Sequence, residues 1–143
     1  MANTQIEGRL TRLDWAIKKL ENSLSESGSY TPTLSTISNI GSLSASEAQW
    51  TKNGNYVTVY GIIALNTLAG SAITSTVEIT LPFVTAMTTA DKLVGLANPQ
   101  DETIGSGAFI TGNVAGTKAS MTFTAAQIGG TNYFYTFRYL IQP

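Results

Sequence analysis

Asp91, Asp101 and Glu102 come nearest to a reactive set in this sequence of 143 residues, because two carboxylates held across a bond can do acid and base work on a glycoside. Little else could join them. The chain has no histidine, which excludes a Ser-His-Asp relay, and no cysteine, which excludes a thiol nucleophile, disulfides and sulfur-ligated zinc. Asp101-Glu102 stand side by side between Pro99 and Gly105, the composition of a solvated loop. Calcium would need several oxygen ligands at a set spacing, and no EF-hand-like run occurs. Gly105-Ser106-Gly107 and the stretch 112–116 neither open a helix nor supply a lysine where a phosphate loop requires one. The residue inventory points to a protein that is not an enzyme and uses no cofactor or metal, and that acts through surface and assembly.

The first element able to carry such a surface is at the amino terminus. Ile6, Leu10, Leu13, Ile17, Leu20 and Leu24 are spaced alternately four and three apart, with no polar residue in the seam. A lone helix has no reason to expose that stripe, so the spacing predicts a parallel homo-oligomeric coiled coil. Leucine and isoleucine are mixed at both core positions, which leaves the strand number open. Thr4 with Glu7 reads as a capping box, and Ser25 to Ser29 around Gly28 as the stop, giving a stem over residues 1–28. Six core side chains worth about 1.5–3 kcal/mol each make a short coil marginal alone, so other contacts must help hold the copies together. Arg9, five residues before Asp14, has the spacing of an interhelical pair or of a solvated surface charge. Trp15 occupies the outermost heptad position, as does Gly8 one repeat earlier, with Arg12 and Lys19 flanking it at helical spacing. Gly8, Arg12, Trp15 and Lys19 together form a candidate docking anchor; the alternative is a tryptophan lying over the aliphatic part of Lys19 or packing back on the head.

After Tyr30 the pattern changes to period two, with Thr, Val, Ile and aromatics between Gly, Asn and Ser clusters. Residues 49–52 and 55–66 read as a hairpin closed by Asn53-Gly54 in a type I′ turn, with Val57, Val59, Gly61, Ile63 and Leu65 on one face. Val77, Ile79 and Leu81 alternate with Thr76, Glu78 and Thr80 until Pro82. Further strands are expected over 92–98, 107–114, 118–125 and 132–141, with turns at Ala115-Gly116 and Gly129-Gly130. About eight short strands and no second helix predict a mainly β head over residues 29–143, an antiparallel β-sandwich or jelly roll. That head carries four basic and five acidic residues, so its polar surface must be built from Thr, Ser and Asn. Tyr56 to Leu65 and Tyr133 to Ile141 are apolar on both faces: one face suits the core, the other a neighbouring head. Tyr133, Tyr135, Phe137 and Tyr139 read as core and subunit interface, or else as a platform for stacking sugars.

A net charge of −1 and no Lys/Arg cluster after Lys19 argue against nucleic acid. No run approaches about 18 apolar residues, which argues against membrane insertion. The amino terminus lacks the apolar run of a secretory signal, so synthesis in a cytoplasm is expected.

Tyr30-Thr31-Pro32-Thr33-Leu34, the stretch from Gln49 through Trp50 and Asn53-Gly54 to Gly61, Ile79-Thr80-Leu81-Pro82-Phe83 and the terminal aromatic strand resemble, in order and spacing, the carboxy-terminal β-domains of tailed-phage fibres and related virion appendages. The resemblance spans most of residues 30–143. It implies a homotrimer on a coiled-coil stem, bound to capsid or tail proteins and exposed on the virion after assembly in the host cytoplasm. It further implies contact with the host surface, with glycan one target. The resemblance departs from the longer fibres in the separate amino-terminal attachment domain that they carry, which leaves the mode of attachment, as a head fibre or a tail fibre, open. Receptor contact is expected at loop tips: Asn53, Gly54 and Asn55; Asp101 and Glu102; and Gly129, Gly130 and Asn132. A capsid decoration protein that stabilises the shell, or an appendage that degrades polysaccharide, are the alternatives.

Overall fold

The computed structural model describes residues 2–115 and 117–142, so the turn expected at Ala115-Gly116 lies partly outside the described residues. Helix α1 (Ala2–Ser23) is about 33 Å long at 1.5 Å per residue. It begins ahead of Thr4, so Thr4 and Glu7 stand inside it and not at its cap, and the Glu7 carbonyl accepts a bond from Thr11 Oγ1 at 2.9 Å. Ile6, Leu10, Leu13, Ile17 and Leu20 all lie exposed on it, and Leu24, the last residue of the expected seam, is exposed just beyond its end. No helix among the described residues is long and apolar enough to cross a membrane.

The serine-rich run after the helix is not a cap. Ser25–Tyr30 forms strand β1, paired antiparallel with β4 (Ala48–Asn53) from Ser25↔Asn53 to Tyr30↔Ala48. The sheet therefore starts inside the segment expected to close the stem. Gly28 lies opposite Trp50, where a Cβ would come within 2.6 Å of the indole, so the glycine makes room for the ring. β2 (Leu34–Ser38) and β3 (Ile40–Ala45) follow, then β5 (Tyr56–Thr67), β6 (Ile73–Ile79), a 3-10 turn at Ala90–Lys92, β7 (Leu93–Pro99), β8 (Ala108–Asn113), β9 (Lys118–Ala125) and β10 (Gly129–Leu140). Gly129 and Gly130, expected as a turn, are the first residues of β10, opposite Thr67 and Asn66. The β4–β5 turn is shifted by one residue from expectation. Asn53 pairs with Tyr56, the central residues are Gly54 and Asn55, and only Gly54 has positive φ (60°), which suits a turn with glycine first.

All ten strands form one antiparallel sheet in the order β1-β4-β5-β10-β7-β8-β9-β6-β2, with β3 pairing the far half of β5. The sheet curls over one core. Phe123 of β9 packs on Tyr133 of β10 at 4.8 Å between ring centroids, although two strands separate them in the sheet. Tyr139 Oη bonds both the amide and the carbonyl of Phe83 in the connection between β6 and β7, and Tyr30 Oη donates to the Thr80 carbonyl. Asn39, at positive φ between β2 and β3, bonds Ala69 through both its amide nitrogen and its oxygen, and reaches Ser75 Oγ. Val57, Val59, Ile63 and Leu65 point inward with Tyr133, Tyr135, Phe137 and Tyr139; the four aromatics are fully buried, so they build the core and cannot stack ligands. Tyr135 Oη is buried with no hydrogen-bond partner among the described residues.

Candidate functional site

Strand pairing gives the head two ends. At one, Ser25 follows α1 within two residues and pairs with Asn53 beside the Gly54-Asn55 turn. Glu21, Leu24, Glu26, Lys52, Gly54 and Asn55 line a small cavity of about 280 Å³ there, with Lys52 Nζ 3.8 Å from Glu26. β5 then runs for twelve residues, about 36 Å at roughly 3.3 Å per residue. Its far end meets β3 and the start of β10. The expected loop set is thereby divided: Asn53, Gly54 and Asn55 lie at the stem end, and Asp101, Glu102, Gly129, Gly130 and Asn132 at the free end.

At the free end, Asp101, Glu102, Gly130 and Asn132 line one cleft of about 730 Å³ with Ser42, Ser44, Asn66, Gln100 and the backbone around them. Period two explains the assembly. Ser42 and Ser44 on β3, Ala64 and Asn66 on β5, and Gly130 and Asn132 on β10 are alternate residues that sit opposite one another across three strands. The 100–102 segment is tied to this floor. Gln100 N–H donates to the Asn132 carbonyl at 2.7 Å, Asp101 N–H to Thr131 Oγ1 at 3.1 Å, and Asn132 Nδ2 to Gln100 Oε1 at 2.9 Å. Thr103 donates its hydroxyl and its amide to Asp101 Oδ1, and these bonds hold the Asp101 carboxyl below the usual range. No lysine or arginine lines the cleft. Gln100 falls within the turn expected over 99–105, whereas Ser42 and Ser44 are not singled out by sequence because Ile40 to Ala45 is serine- and glycine-rich with no clear apolar alternation, and Asn66 reads only as the end of a strand.

The carboxylates weighed as an acid/base pair are split by the fold. Asp91 precedes β7, where Thr89 Oγ1 bonds its carboxyl and lowers its pKa, whereas Asp101 and Glu102 follow the strand's other end. β7's seven residues put roughly 20 Å between them, far beyond the roughly 5–9.5 Å used in glycoside hydrolysis. Among the described residues no group of three or more carboxylates forms a metal site.

Below the cleft the same outer face turns apolar. Tyr60, Thr136, Leu96 and Phe109 form a row across β5, β10, β7 and β8, with Phe134 and Val94 in the rows beside it. All of these apolar residues are at least half exposed, Phe109 at 72%. Two apolar hollows of about 470 and 360 Å³ lie among them. Arg138, in the same face, lies over the Tyr56 ring at 4.3 Å. On α1, Trp15 is 64% exposed with Lys19 Nζ over its ring at 4.9 Å, and Gly8 has open space around it. Arg12 lies on the same exposed helix.

No family model matches the chain, and no curated protein does. Among solved structures, the chain is similar to the fibre head domain of the Atadenovirus snake adenovirus 1, at 12% identity and a TM-score of 0.35, over 76% of this chain and 95% of that one.

Proposed function

We propose that this chain is a non-enzymatic structural protein of a virus particle: a homotrimeric fibre or head appendage whose stem attaches to the particle and whose head is exposed for adhesion to a host surface. The carrying observation is the opposition of the head's two ends. The exposed heptad seam enters the sheet beside the Gly54-Asn55 turn, and the polar cleft opens at the other end of β5. Two surfaces support assembly, the seam of α1 and the apolar outer face around Leu96, Phe109 and Phe134, and single-chain burial satisfies neither. The virion setting rests on the order and spacing of the motifs at 30–34, 49–61 and 79–83 and of the terminal aromatic strand. Three copies on one stem would hold three weak sites together, which raises avidity without tight individual contacts.

The test is to image intact particles carrying the chain with an electron-dense label fused after Pro143. Three-fold projections with the α1 end toward the shell support the reading; density internal to the shell, or none, contradicts it. Trp15→Ala tests the docking anchor. The trimer should persist while copies per particle fall, and unchanged occupancy would remove Trp15 from attachment.

A further inference from the structure

The free-end cleft combines a large volume with an unusual lining. Its roughly 730 Å³ falls within the range of about 300–1,000 Å³ common to small-molecule sites. Such sites are mostly apolar, yet here hydroxyls and amides dominate: Ser42, Ser44, Asn66, Gln100, Thr131 and Asn132. Two carboxylates, Asp101 and Glu102, stand at its rim with no cation among the lining residues. Asp101 already spends one oxygen on Thr103, whereas among the described residues no hydrogen bond or ion pair engages the Glu102 side chain. The polar groups are also held in place, because the 100–102 segment is bonded to β10 at three points. Gly130 keeps the floor open. A Cβ there would lie 2.2 Å from Asn66 Oδ1 and would push that amide into the cleft.

We propose that this cleft binds an uncharged, hydroxyl-rich saccharide. The proposal rests on the adhesive reading above and adds the place and the ligand class. Adjacent sugar hydroxyls can donate in pairs to a carboxylate, and charge-assisted bonds of this kind are about twice as strong as neutral ones. The serine hydroxyls and the Asn66 and Gln100 amides can both donate and accept, as a ring bearing hydroxyls on several sides requires. An anionic sugar would bring its charge against Asp101 and Glu102 with nothing to neutralise it. A peptide would need apolar side-chain recesses that the lining does not offer.

The full-length chain, fluorescently labelled, is applied to an array bearing uncharged, sialylated and sulfated oligosaccharides, and each retained structure is titrated in solution. Retention is expected on uncharged members only. Glu102→Gln should weaken it by about tenfold, Glu102→Lys should abolish it, and Gly130→Ala should weaken it while near-ultraviolet circular dichroism stays unchanged. Lys92→Ala, exposed at the opposite end of β7 from the cleft, should leave it intact. The proposal is overturned if no uncharged glycan is retained, if sialylated or sulfated members are preferred, if a peptide competes at the same site, or if Glu102→Lys binds as the parent does. Particle imaging fails or succeeds independently of this result, so loss of the cleft and loss of the virion role can be told apart.

Discussion

Helix α1 and the curled sheet use the same kinds of residue in opposite ways. In the sheet, Val57, Ile63, Phe137 and Tyr139 are buried within one chain, in contact with other core side chains. In the helix, Ile6, Leu10, Leu13, Ile17 and Leu20 are aligned just as regularly and none is buried, nor is Leu24 just beyond its end. The head buries its apolar rows within one chain and the stem does not. Apolar order without apolar burial is what the proposed homotrimer would explain, and the outer face of β10 repeats it more weakly: Phe134 is exposed on a strand whose inner residues are sealed.

The strongest way to separate the two regions is at the seam. Leu13→Asp with Leu20→Asp puts charges where copies would meet, and should convert the assembly to single chains while the head keeps its β-sheet spectrum and urea midpoint. Simultaneous loss of the head's fold would make the division false. The converse change, Phe137→Ala, empties a wholly buried site and should cost the head about 3–5 kcal/mol in urea unfolding, with the helical signal lost at a separate point.

Alkali should distinguish the regions next. Residues 1–28 contain no tyrosine, whereas burial pushes Tyr135 and Tyr139 up to about 12 and raises Tyr30 and Tyr133 further. Phenols whose folded pKa lies above the unfolded value of about 10 contribute stability that is complete below that value and is lost as pH rises through the folded one. Sheet stability followed by near-ultraviolet circular dichroism should stay level to about pH 10 and fall toward 12. Stability that stays level through pH 12 would mean that the tyrosines are not sealed, because a phenol with the same pKa in both states contributes no pH dependence.

The smallest effects come from two neighbours on β10. Tyr139→Phe removes the hydroxyl that bonds the amide and carbonyl of Phe83 and should cost about 1–2 kcal/mol. Tyr135→Phe removes a buried hydroxyl that has no partner and should be neutral or stabilising. Equal losses in the two variants would show that Tyr135 is hydrogen-bonded after all.

What the sequence disclosed tracks where side chains decide structure. The helix, the inward faces of β5 and β10 and the limits of β9 follow from apolar spacing alone. β1, β2 and β3 did not show, because Ser25 to Tyr30 and Ile40 to Ala45 are held mainly by backbone pairing to β4 and β5, which leaves little mark on composition. Pairing also explains the shifts at Gly54-Asn55 and Gly129-Gly130, since a glycine pair serves a turn or the start of a strand and the partner strand selects between them. Asp101, Glu102, Gly130 and Asn132 were visible as loop residues. Their meeting with Ser42, Ser44 and Asn66 depended on register across three strands, which no local window contains.

Sedimentation equilibrium of the full-length chain at micromolar concentration tests most directly whether α1 is shared among three copies. A single species of three times the 15.2 kDa chain mass is the predicted result. A folded species of 15.2 kDa, with the seam of α1 open to solvent, would contradict it.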